Sequence, residues 1–489
     1  MAFLKFVPAP ARLAGNVWDF ECTDHGRSRF MLEHFREFLR YVPELQHFRI
    51  WVSGWNEDPG DMRLISYVLS LADWQRGEAA KLAAAERAAF AAKYPTNPPV
   101  GELAAMENVI KARDTAVKAL GSQRSVQSMI ALSKANGLLT VPMAKWDADP
   151  MKIGTANGTL CLNTRTFSAG RPDDYITKRI GVCYDPNATC PNWETFISQV
   201  LPDPDVASYV QRLVGYSLTG DMSDQSFYFL HGVGQNGKSM FLDVLARIMG
   251  DYAGNARREM IEDVRFAAYK TDLAQLPGVR LLIGLETSAD GKLRDDVIKS
   301  LTAGDPMKGE AKYAMPFEFR PCCKLWLAGN HKPVIEGTDF GIWRRVKLIP
   351  FTTVISAEQR IPQTVLLNRL MAEGPGILNW ALEGLAQWKI DRVPVTVKDA
   401  VAEYRSGEDD VADFIAEAVT MSPRHRVPRL DLYQAYVAWA SSVGIRNPWT
   451  LKRITRRLKE RGFQMCSEGK DWVGVKLTKE VNVNLAIDG

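Results

Sequence analysis

The segment GVGQNGKS at residues 232–239 has the residue types and spacing of a phosphate-binding loop. Backbone N–H groups in such a loop wrap the β-phosphate closely, so glycine is needed where a Cβ would collide. In this pattern a lysine supplies positive charge to the β- and γ-phosphates, and the following hydroxyl coordinates Mg²⁺. The pattern therefore predicts an ATP and Mg²⁺ site with the binding residues Gly232, Gly234, Asn236, Gly237, Lys238 and Ser239.

The residues on both sides of this loop predict the elements that hold it. Residues 226–231 form an apolar run typical of a buried strand, and residues 240–249 are predicted to form a helix. The alternative is a chance glycine-rich turn, but such a turn does not require a strand before it and a helix after it. The strand–loop–helix order favours the nucleotide site.

Two later apolar runs each end in a polar residue that could act on ATP. The run at 279–285 ends at Glu286, a candidate to hold Mg²⁺ or to polarise the attacking water. The run at 324–329 ends at Asn330, whose amide could bind both the γ-phosphate and that water. The alternatives are a core strand with a glutamate at its edge and an ordinary asparagine turn. Glu286 and Asn330 both follow apolar runs that come after the glycine loop, and this position favours catalytic roles for both residues.

A pair of arginines, Arg344 and Arg345, follows Trp343 and leads into a further apolar run at 346–351. Such a pair could belong to an ordinary solvated face. In an oligomeric ATPase, however, an arginine of one subunit reaches the γ-phosphate bound by the next. The sequence favours this catalytic role without deciding between Arg344 and Arg345.

The predicted secondary structure divides the chain into parts. Residues 73–93 and 102–135 predict helices, 153–184 predict short strands with turns, and 226–351 alternate strands with helices. Residues 405–410 are predicted to be a linker. The expected domains are a mainly helical region at 1–140, a turn-rich connection at 141–204, an α/β ATPase domain at 205–392 and a small basic unit at 405–489.

Composition excludes several classes of protein. The 489 residues carry a net charge of +4, which is too small to indicate nucleic-acid binding, so any DNA contact must be local. Seven cysteines without a CxxC pair indicate neither a disulfide framework nor a zinc ribbon and favour the cytoplasm. No apolar run approaches the ~20 residues of a membrane span.

The basic unit is predicted to contain helices at 430–443 and 451–461, followed by a short hairpin. The second helix has an apolar stripe of Leu451, Ile454 and Leu458. Its cations fit a helix that enters a DNA groove, although a basic surface helix that serves only solubility is the alternative. The predicted DNA-binding residues of this helix are Lys452, Arg453, Arg456 and Arg457.

The motif order, with LLIGLE at 281–286, LAGN at 327–330 and WRR at 343–345, resembles the superfamily 3 helicases. The chain resembles more closely the helicase part of phage and plasmid primase–helicases, relatives of the poxvirus primase–helicase. Similarity extends to NGTLCL at 157–162 and GYSLTGD at 215–221 and covers most of residues 15–480. The resemblance implies an AAA+-like P-loop domain, a hexameric ring with ATP sites between subunits, and a C-terminal winged helix.

In this family a hairpin before the sensor strand carries basic or aromatic residues into the central channel. The matching stretch here is 302–313, in which Lys308 and Lys312 could contact phosphates and Tyr313 could stack on a base. The alternative for this stretch is an exposed polar loop.

Two departures from the family pattern affect the expected chemistry. Many members have two adjacent acids at the second motif, whereas Glu286 is followed by Thr287, so one carboxylate would serve both metal and water. The D-x-D pair Asp147 and Asp149 has primase-like spacing but is followed at once by Pro150 and turns, so it is predicted to be a loop.

These observations predict an ATP- and Mg²⁺-dependent DNA helicase that acts as a ring in replication of a phage, plasmid or mobile element. The expected partners are single-stranded and duplex DNA and other copies of the chain. The sequence leaves open whether a separate primase or polymerase also takes part. Two other classes stay open. One is an origin-binding initiator that melts duplex without processive unwinding, and the other is a P-loop ATPase that remodels protein.

Overall fold

The computed structural model describes residues 15–262, 270–285, 292–310, 316–335, 340–388, 393–407, 410–443 and 448–478. Within these ranges, no helix is both long enough and apolar enough to cross a bilayer.

The N-terminal region packs helices against a small antiparallel sheet in the order β1-β2-β3. Phe30, Phe48 and Leu71 are fully or almost fully buried in their shared core. The sequence predicted the helices but not the sheet, because strands of four or five residues are too short to show a clear alternation. The elements are α1 Asp24–Phe35, β1 Leu39–Val42, β2 His47–Trp51, β3 Trp55–Asp58, α2 Met62–Lys93, α3 Val100–Leu120 and α4 Gln123–Lys134.

The connecting region forms a second antiparallel sheet, made of β4 Lys152–Thr155, β5 Gly158–Cys161 and β6 Phe167–Ser168. Ile153 and Leu160 in this sheet are buried in the same core as the central domain. The D-x-D pair lies in a loop, as predicted. The Asp147 carboxylate accepts the Thr177 N–H at 2.8 Å, and Asp149 accepts the Met151 N–H at 2.9 Å. The Asp147 carboxylate therefore joins its loop to the segment at Thr177, whereas the Asp149 carboxylate stabilises a local turn.

The central domain is built on a parallel sheet in the order β13-β7-β12-β9-β8. A small hairpin, β10-β11, precedes β12. The elements of this domain are α5 Pro191–Val200, α6 Pro204–Ser217, β7 Phe227–His231, α7 Lys238–Met249, β8 Ala253–Asn255, α8 Arg258–Ile261, α9 Lys270–Leu273, β9 Leu281–Leu285, α10 Asp295–Ala303, β10 Met307–Gly309, β11 Phe317–Phe319, β12 Lys324–Gly329, α11 Phe340–Trp343, β13 Val346–Pro350, α12 Gln363–Met371 and α13 Gly374–Ala386.

Both faces of this sheet are covered by helices. Along β7, Tyr228 and Leu230 point into one core, which contains residues of α5, α6, α7 and α13. The alternate residues Phe227 and Phe229 point into a second core, which contains residues of α8 and α10. Strands buried on both faces read as continuous apolar runs, which is why the sequence located β7, β9 and β12. The predicted α/β fold is confirmed, and the structure shows that its central sheet is parallel.

The C-terminal elements are α14 Val395–Gly407, α15 Asp410–Ala418, β14 Val419–Pro428, α16 Arg429–Ser442, α17 Leu451–Glu460, β15 Gln464–Met465 and β16 Asp471–Leu477. The strands pair in the order β14-β16-β15. The two predicted helices and the hairpin are present. The sequence missed β14, because most of its residues are exposed and the short alternation at its start is interrupted by Pro423. Residues 405–407, predicted as linker, are the last turn of α14.

Glycines set the distance between α6 and α13. A Cβ at Gly215 would meet the backbone of Ala381 and Leu385, and a Cβ at Gly384 would meet the backbone of Gln211 and Arg212. Backbone atoms cannot yield as the tip of a side chain can, so the two helices pack at a separation that only glycine allows.

We expect Gly215→Ala and Gly384→Ala each to lower the free energy of unfolding by about 1–3 kcal/mol, because the helices must separate. The matched control is Gly77→Ala in α2, where a Cβ meets nothing within 4 Å. That change should instead raise the free energy of unfolding by about 0.5–1 kcal/mol, because alanine favours a helix. Urea denaturation of the full chain measures all three, and equal effects at 215 and 77 would contradict the close-packing account.

Candidate active site

The glycine loop joins the carboxyl end of β7 to the amino end of α7. Gly234 and Gly237 have φ values of 69° and 83°, and Gln235 between them has a φ of 51°. These left-handed conformations suit glycine and turn the chain sharply into the helix. The backbone N–H groups at the start of α7 have no helical acceptors, so the loop ends at a site favourable for an anion.

Two of the glycines also lie where a side chain has no room. A Cβ at Gly232 would collide with the carbonyl oxygen of Phe351, and a Cβ at Gly237 would lie 2.6 Å from a methyl of Val200. The loop is therefore enclosed by the segment after β13 and by α5. Glycine at these positions lets the backbone lie against its neighbours while its N–H groups stay available.

Lys238 is the best-anchored charged group at the loop. Its ammonium donates hydrogen bonds to the Gly232 carbonyl at 2.7 Å, to Asn236 Oδ1 at 3.0 Å and to Asn330 Oδ1 at 3.2 Å. The side chain is only 5% exposed, and burial lowers the pKa of the ammonium. A buried cation held by three neutral oxygens could supply positive charge to a phosphate group at this loop.

The loop residue Asn236 has a second contact of its own. It is buried, and its Nδ2 donates to the Phe351 carbonyl at 3.0 Å while its Oδ1 accepts from Lys238. Sequence reasoning named Asn236 for its place in the motif but did not anticipate this bond, which depends on where β13 lies.

Parallel pairing brings the tip of β12 beside the loop. Gly329 pairs with His231, and Ala328 pairs with Leu285 of β9. The carboxyl ends of β7, β12 and β9 therefore meet at one edge of the sheet. Asn330 follows β12 and contacts Lys238 directly. Glu286, the next residue in sequence after β9, lies outside the described residues. Ser239 is exposed in the first turn of α7.

The segment after β13 also covers the loop, through residues that the sequence did not single out. The Ile355 N–H donates to the Gln235 carbonyl at 3.0 Å, and the Arg360 guanidinium donates to Gln235 Oε1. No sequence motif marks Arg360, because its role depends on a chain crossing made by the tertiary fold.

The two arginines before β13 have different surroundings. Arg345 is 7% exposed, and its guanidinium donates to Thr302 Oγ1 at 3.1 Å and to the Gly341 carbonyl at 2.6 Å. Arg344 is exposed, and one of its nitrogens donates to Gln225 Oε1 at 3.2 Å. Arg345 thus stabilises its own domain, whereas Arg344 lies at the surface.

Both arginines lie at the edge of the sheet opposite the glycine loop. The Phe227 N–H, at the amino end of β7, donates to the Arg345 carbonyl at 2.9 Å. The five residues of β7 separate this end from the loop, a span of roughly 16 Å at about 3.3 Å per residue. Neither arginine therefore lies beside the glycine loop of its own chain.

The predicted hairpin before β12 is present as β10 and β11. Lys308 is exposed and pairs with Glu318 across the two strands. Lys312 and Tyr313, the other residues predicted to contact DNA here, lie outside the described residues.

Helix α17 carries two basic stripes. Lys452, Arg456 and Lys459 are exposed on one side, whereas Ile454 and Leu458 are buried against the C-terminal core. The second stripe contains Arg453 and Arg457, both half-buried, and continues to Arg461 just beyond the helix. The guanidinium of Arg453 stacks 3.6 Å from the centre of the Trp449 ring.

Comparisons with known proteins identify two matching regions. A family described as "D5 N terminal like" matches residues 28–202, and a "Family of unknown function (DUF5906)" matches residues 230–345. The second match begins just before the glycine loop and ends at Arg345.

Viral proteins are among the relatives. "Putative helicase L207/L206" of Acanthamoeba polyphaga mimivirus is 28% identical over 326 residues, which cover 60% of this chain and 33% of that protein. "Putative helicase 121R" of Invertebrate iridescent virus 3 is 24% identical over 60% of this chain and 35% of that protein. "Putative primase C962R" of African swine fever virus is 21% identical over 41% of this chain and 22% of that protein. The chain thus spans about a third or less of the length of these relatives.

Among solved structures, the apo C-terminal region of NrS-1 (305–718) is similar over 93% of this chain and 100% of that chain. The TM-score is 0.48 and the identity is 11%. These values are too low for any property of NrS-1 to be transferred.

The double contact of Asn236 can be tested by substitution. We expect Asn236→Ala to lower the free energy of unfolding by about 1–3 kcal/mol, because the buried Phe351 carbonyl loses its donor and Lys238 loses an acceptor. Urea denaturation of the full chain measures the change. Asn187→Ala, at an exposed turn, is the control and should change stability by less than about 0.5 kcal/mol. Equal stability of the two variants would contradict a structural role for Asn236.

Proposed function

Because the chain belongs to the D5-like primase–helicase family, we propose that it is an ATP-dependent DNA helicase that acts as a ring. Its task would be unwinding during replication of a phage, plasmid or mobile element. The observation that carries this proposal is the contact between Lys238 and Asn330, which joins the glycine loop to the tip of the neighbouring strand. The viral relatives named as helicases support the same class of activity.

The residues around the loop fit ATP and Mg²⁺. The backbone of the glycine loop, with Gly232, Gly234 and Gly237, would contact the phosphates, and Lys238 would bind the β- and γ-phosphates. Ser239 and Glu286 would hold Mg²⁺, which draws charge from the transferred phosphoryl group when it is bound. Asn330 would orient the attacking water as the sensor.

The arginine pair supports ATP sites shared between subunits. Arg344 is exposed at the sheet edge away from its own loop, so it would act on ATP bound by a neighbouring subunit. Arg345 is engaged by Thr302 and Gly341 of its own domain, so we assign it to holding Trp343 and Arg344 in place. A closed ring of copies, as in a hexamer, would give every site such an arginine.

The C-terminal elements support DNA binding. From α15 to β16 their order is helix, strand, helix, helix, strand, strand, which is the arrangement proposed here as a winged helix. The exposed stripe of Lys452, Arg456 and Lys459 would contact DNA phosphates or base edges, with Arg453 and Arg457 beside it. Lys308, with Lys312 and Tyr313, would contact the single strand in the central channel.

The same C-terminal order also supports a second candidate function. A domain that binds duplex at an origin would make the protein an initiator whose ATPase melts DNA without processive unwinding. A sequence-specific footprint without strand displacement would favour this function over the helicase.

The first test is ATP hydrolysis by the full chain with and without single-stranded DNA. We expect DNA to stimulate ATP hydrolysis. We expect Lys238→Ala to slow hydrolysis by at least about 100-fold, because it removes the positive charge that would stabilise the phosphates. Lys81→Ala, on the exposed face of α2, is the control and should hydrolyse ATP as the wild type does. Strong hydrolysis that is indifferent to DNA would overturn the DNA motor and favour a remodeller of protein.

Mixing variants tests the shared sites. Arg344→Ala alone should hydrolyse ATP about 1,000-fold more slowly than the wild type, an effect within the range known for arginine fingers. A mixture of Arg344→Ala and Lys238→Ala subunits should recover part of the activity, because some interfaces then pair an intact loop with an intact arginine. A mixture as inactive as either variant alone would contradict action between subunits. Arg345→Ala should instead lower the thermal unfolding temperature.

A further inference from the structure

An open cavity of about 530 Å³ lies where α14, the corner before β13 and the end of α17 meet. Positive side chains from all three parts line it, and we call it the basic cavity. Its residues are Trp343, Arg344, Lys398, Val401, Ala402, Arg405, Ser406, Arg457 and Arg461.

Helix α14 forms a fixed wall of the basic cavity. Lys398, Val401, Ala402 and Arg405 are spaced three, four and seven residues apart, so they share one face of the helix. Tyr404 holds this helix to the central domain, because its ring packs 5.2 Å from that of Trp343 and its hydroxyl donates to the Pro333 carbonyl. The two cations are therefore held beside Arg344 by packing.

The facing wall comes from the second basic stripe of α17. Arg457 and Arg461 lie four residues apart, so they lie on one side of the helix. That side is turned away from the exposed stripe of Lys452 and Lys459. Arg457 and Arg461 also contact other groups. Helix α17 thus presents cations both to solvent and to the central domain.

Positive charges gathered around one cavity repel one another, and an anion in the cavity relieves this repulsion. Lys398 and Arg405 of α14 and Arg344 before β13 contribute three of these charges. Arginine forks match the oxygens of phosphate, and Lys398 adds a point charge. The volume lies within the range of about 300–1,000 Å³ common for ligand sites.

We propose that the basic cavity binds linked phosphate groups. Two sources offer this chemistry, namely the backbone of a DNA strand that continues from α17 and the polyphosphate of a nucleotide. The inference rests on the proposed function, because that function makes DNA and a nucleotide the two candidate ligands. It extends that function, because an occupant would connect the C-terminal unit with the corner that carries Arg344.

The DNA source is tested with the full chain and a fluorescent single-stranded oligonucleotide. The double variant Lys398→Gln and Arg405→Gln should bind about 10-fold more weakly at about 0.1 M salt. Its slope of log affinity against log salt should fall by about 1.4, since each lost phosphate contact contributes about 0.7. Arg76→Gln with Lys81→Gln removes the same charge from exposed positions on α2 and should leave affinity and slope unchanged.

The nucleotide source is tested with inorganic tripolyphosphate by calorimetry, in a Lys238→Ala background that weakens the glycine loop. If Lys398→Gln and Arg405→Gln abolish this binding but leave DNA affinity unchanged, the ligand is a polyphosphate. If the two substitutions weaken only the binding of DNA, the ligand is the DNA backbone. Unchanged binding of both, with thermal unfolding equal to the wild type, overturns the proposal. The conservative pair Lys398→Arg and Arg405→Lys should retain binding, which separates charge from folding.

Failure of this inference is distinguishable from failure of the proposed function. If Lys238→Ala loses ATP hydrolysis while the variant Lys398→Gln with Arg405→Gln binds phosphate groups as the wild type does, only the inference about the basic cavity is contradicted. If Lys238→Ala keeps its ATP hydrolysis while Lys398→Gln with Arg405→Gln loses phosphate binding, the basic cavity binds phosphate but the proposed helicase function is contradicted.

Discussion

The burial of the Lys238 ammonium at the carboxyl edge of the parallel sheet is the constraint on which the rest of the site depends. A cation at 5% exposure is stable only if its surroundings supply oxygens, and here Gly232, Asn236 and Asn330 do so. Two of these oxygens belong to the glycine loop and the third to the tip of β12. The loop and the neighbouring strand are therefore held in one geometry, which would reduce the reorganisation that the proposed phosphate binding requires.

That geometry in turn depends on how the sheet is enclosed. Alternate residues of β7 fill two separate cores, and the helices on both faces keep the strand ends aligned. The segment after β13 closes over the loop through the Phe351 carbonyl and the bond from Ile355 to Gln235. The connecting region contributes Ile153 to one core, so the residues before the central domain stabilise the sheet as well. Changes far from the loop, such as a methyl at Gly215, are thus expected to act on the same packing.

Charge is distributed unevenly over the remaining surface. The net charge of the chain is small, yet positive side chains are concentrated on α17 and around the basic cavity. There, α14 and the segment with Trp343 and Arg344 face the C-terminal unit. Arg344 and Arg345 are neighbours in sequence but lie in opposite environments, one exposed and one bound to Thr302. This separation allows one side chain to stabilise the corner while the other stays available at the surface.

The sequence by itself determined the features that depend on local pattern. The glycine spacing, the apolar strands β7, β9 and β12 and the position of Asn330 follow from runs buried on both faces and from motif spacing. The tertiary structure alone decided the features that depend on chain crossings. These are the bond from Asn236 to Phe351, the different surroundings of Arg344 and Arg345, the sheet of β1–β3, the strand β14 and the cavity between α14 and α17. The physical reason is that residues far apart in the chain meet there, and no periodicity in a single segment records which partner a side chain will find.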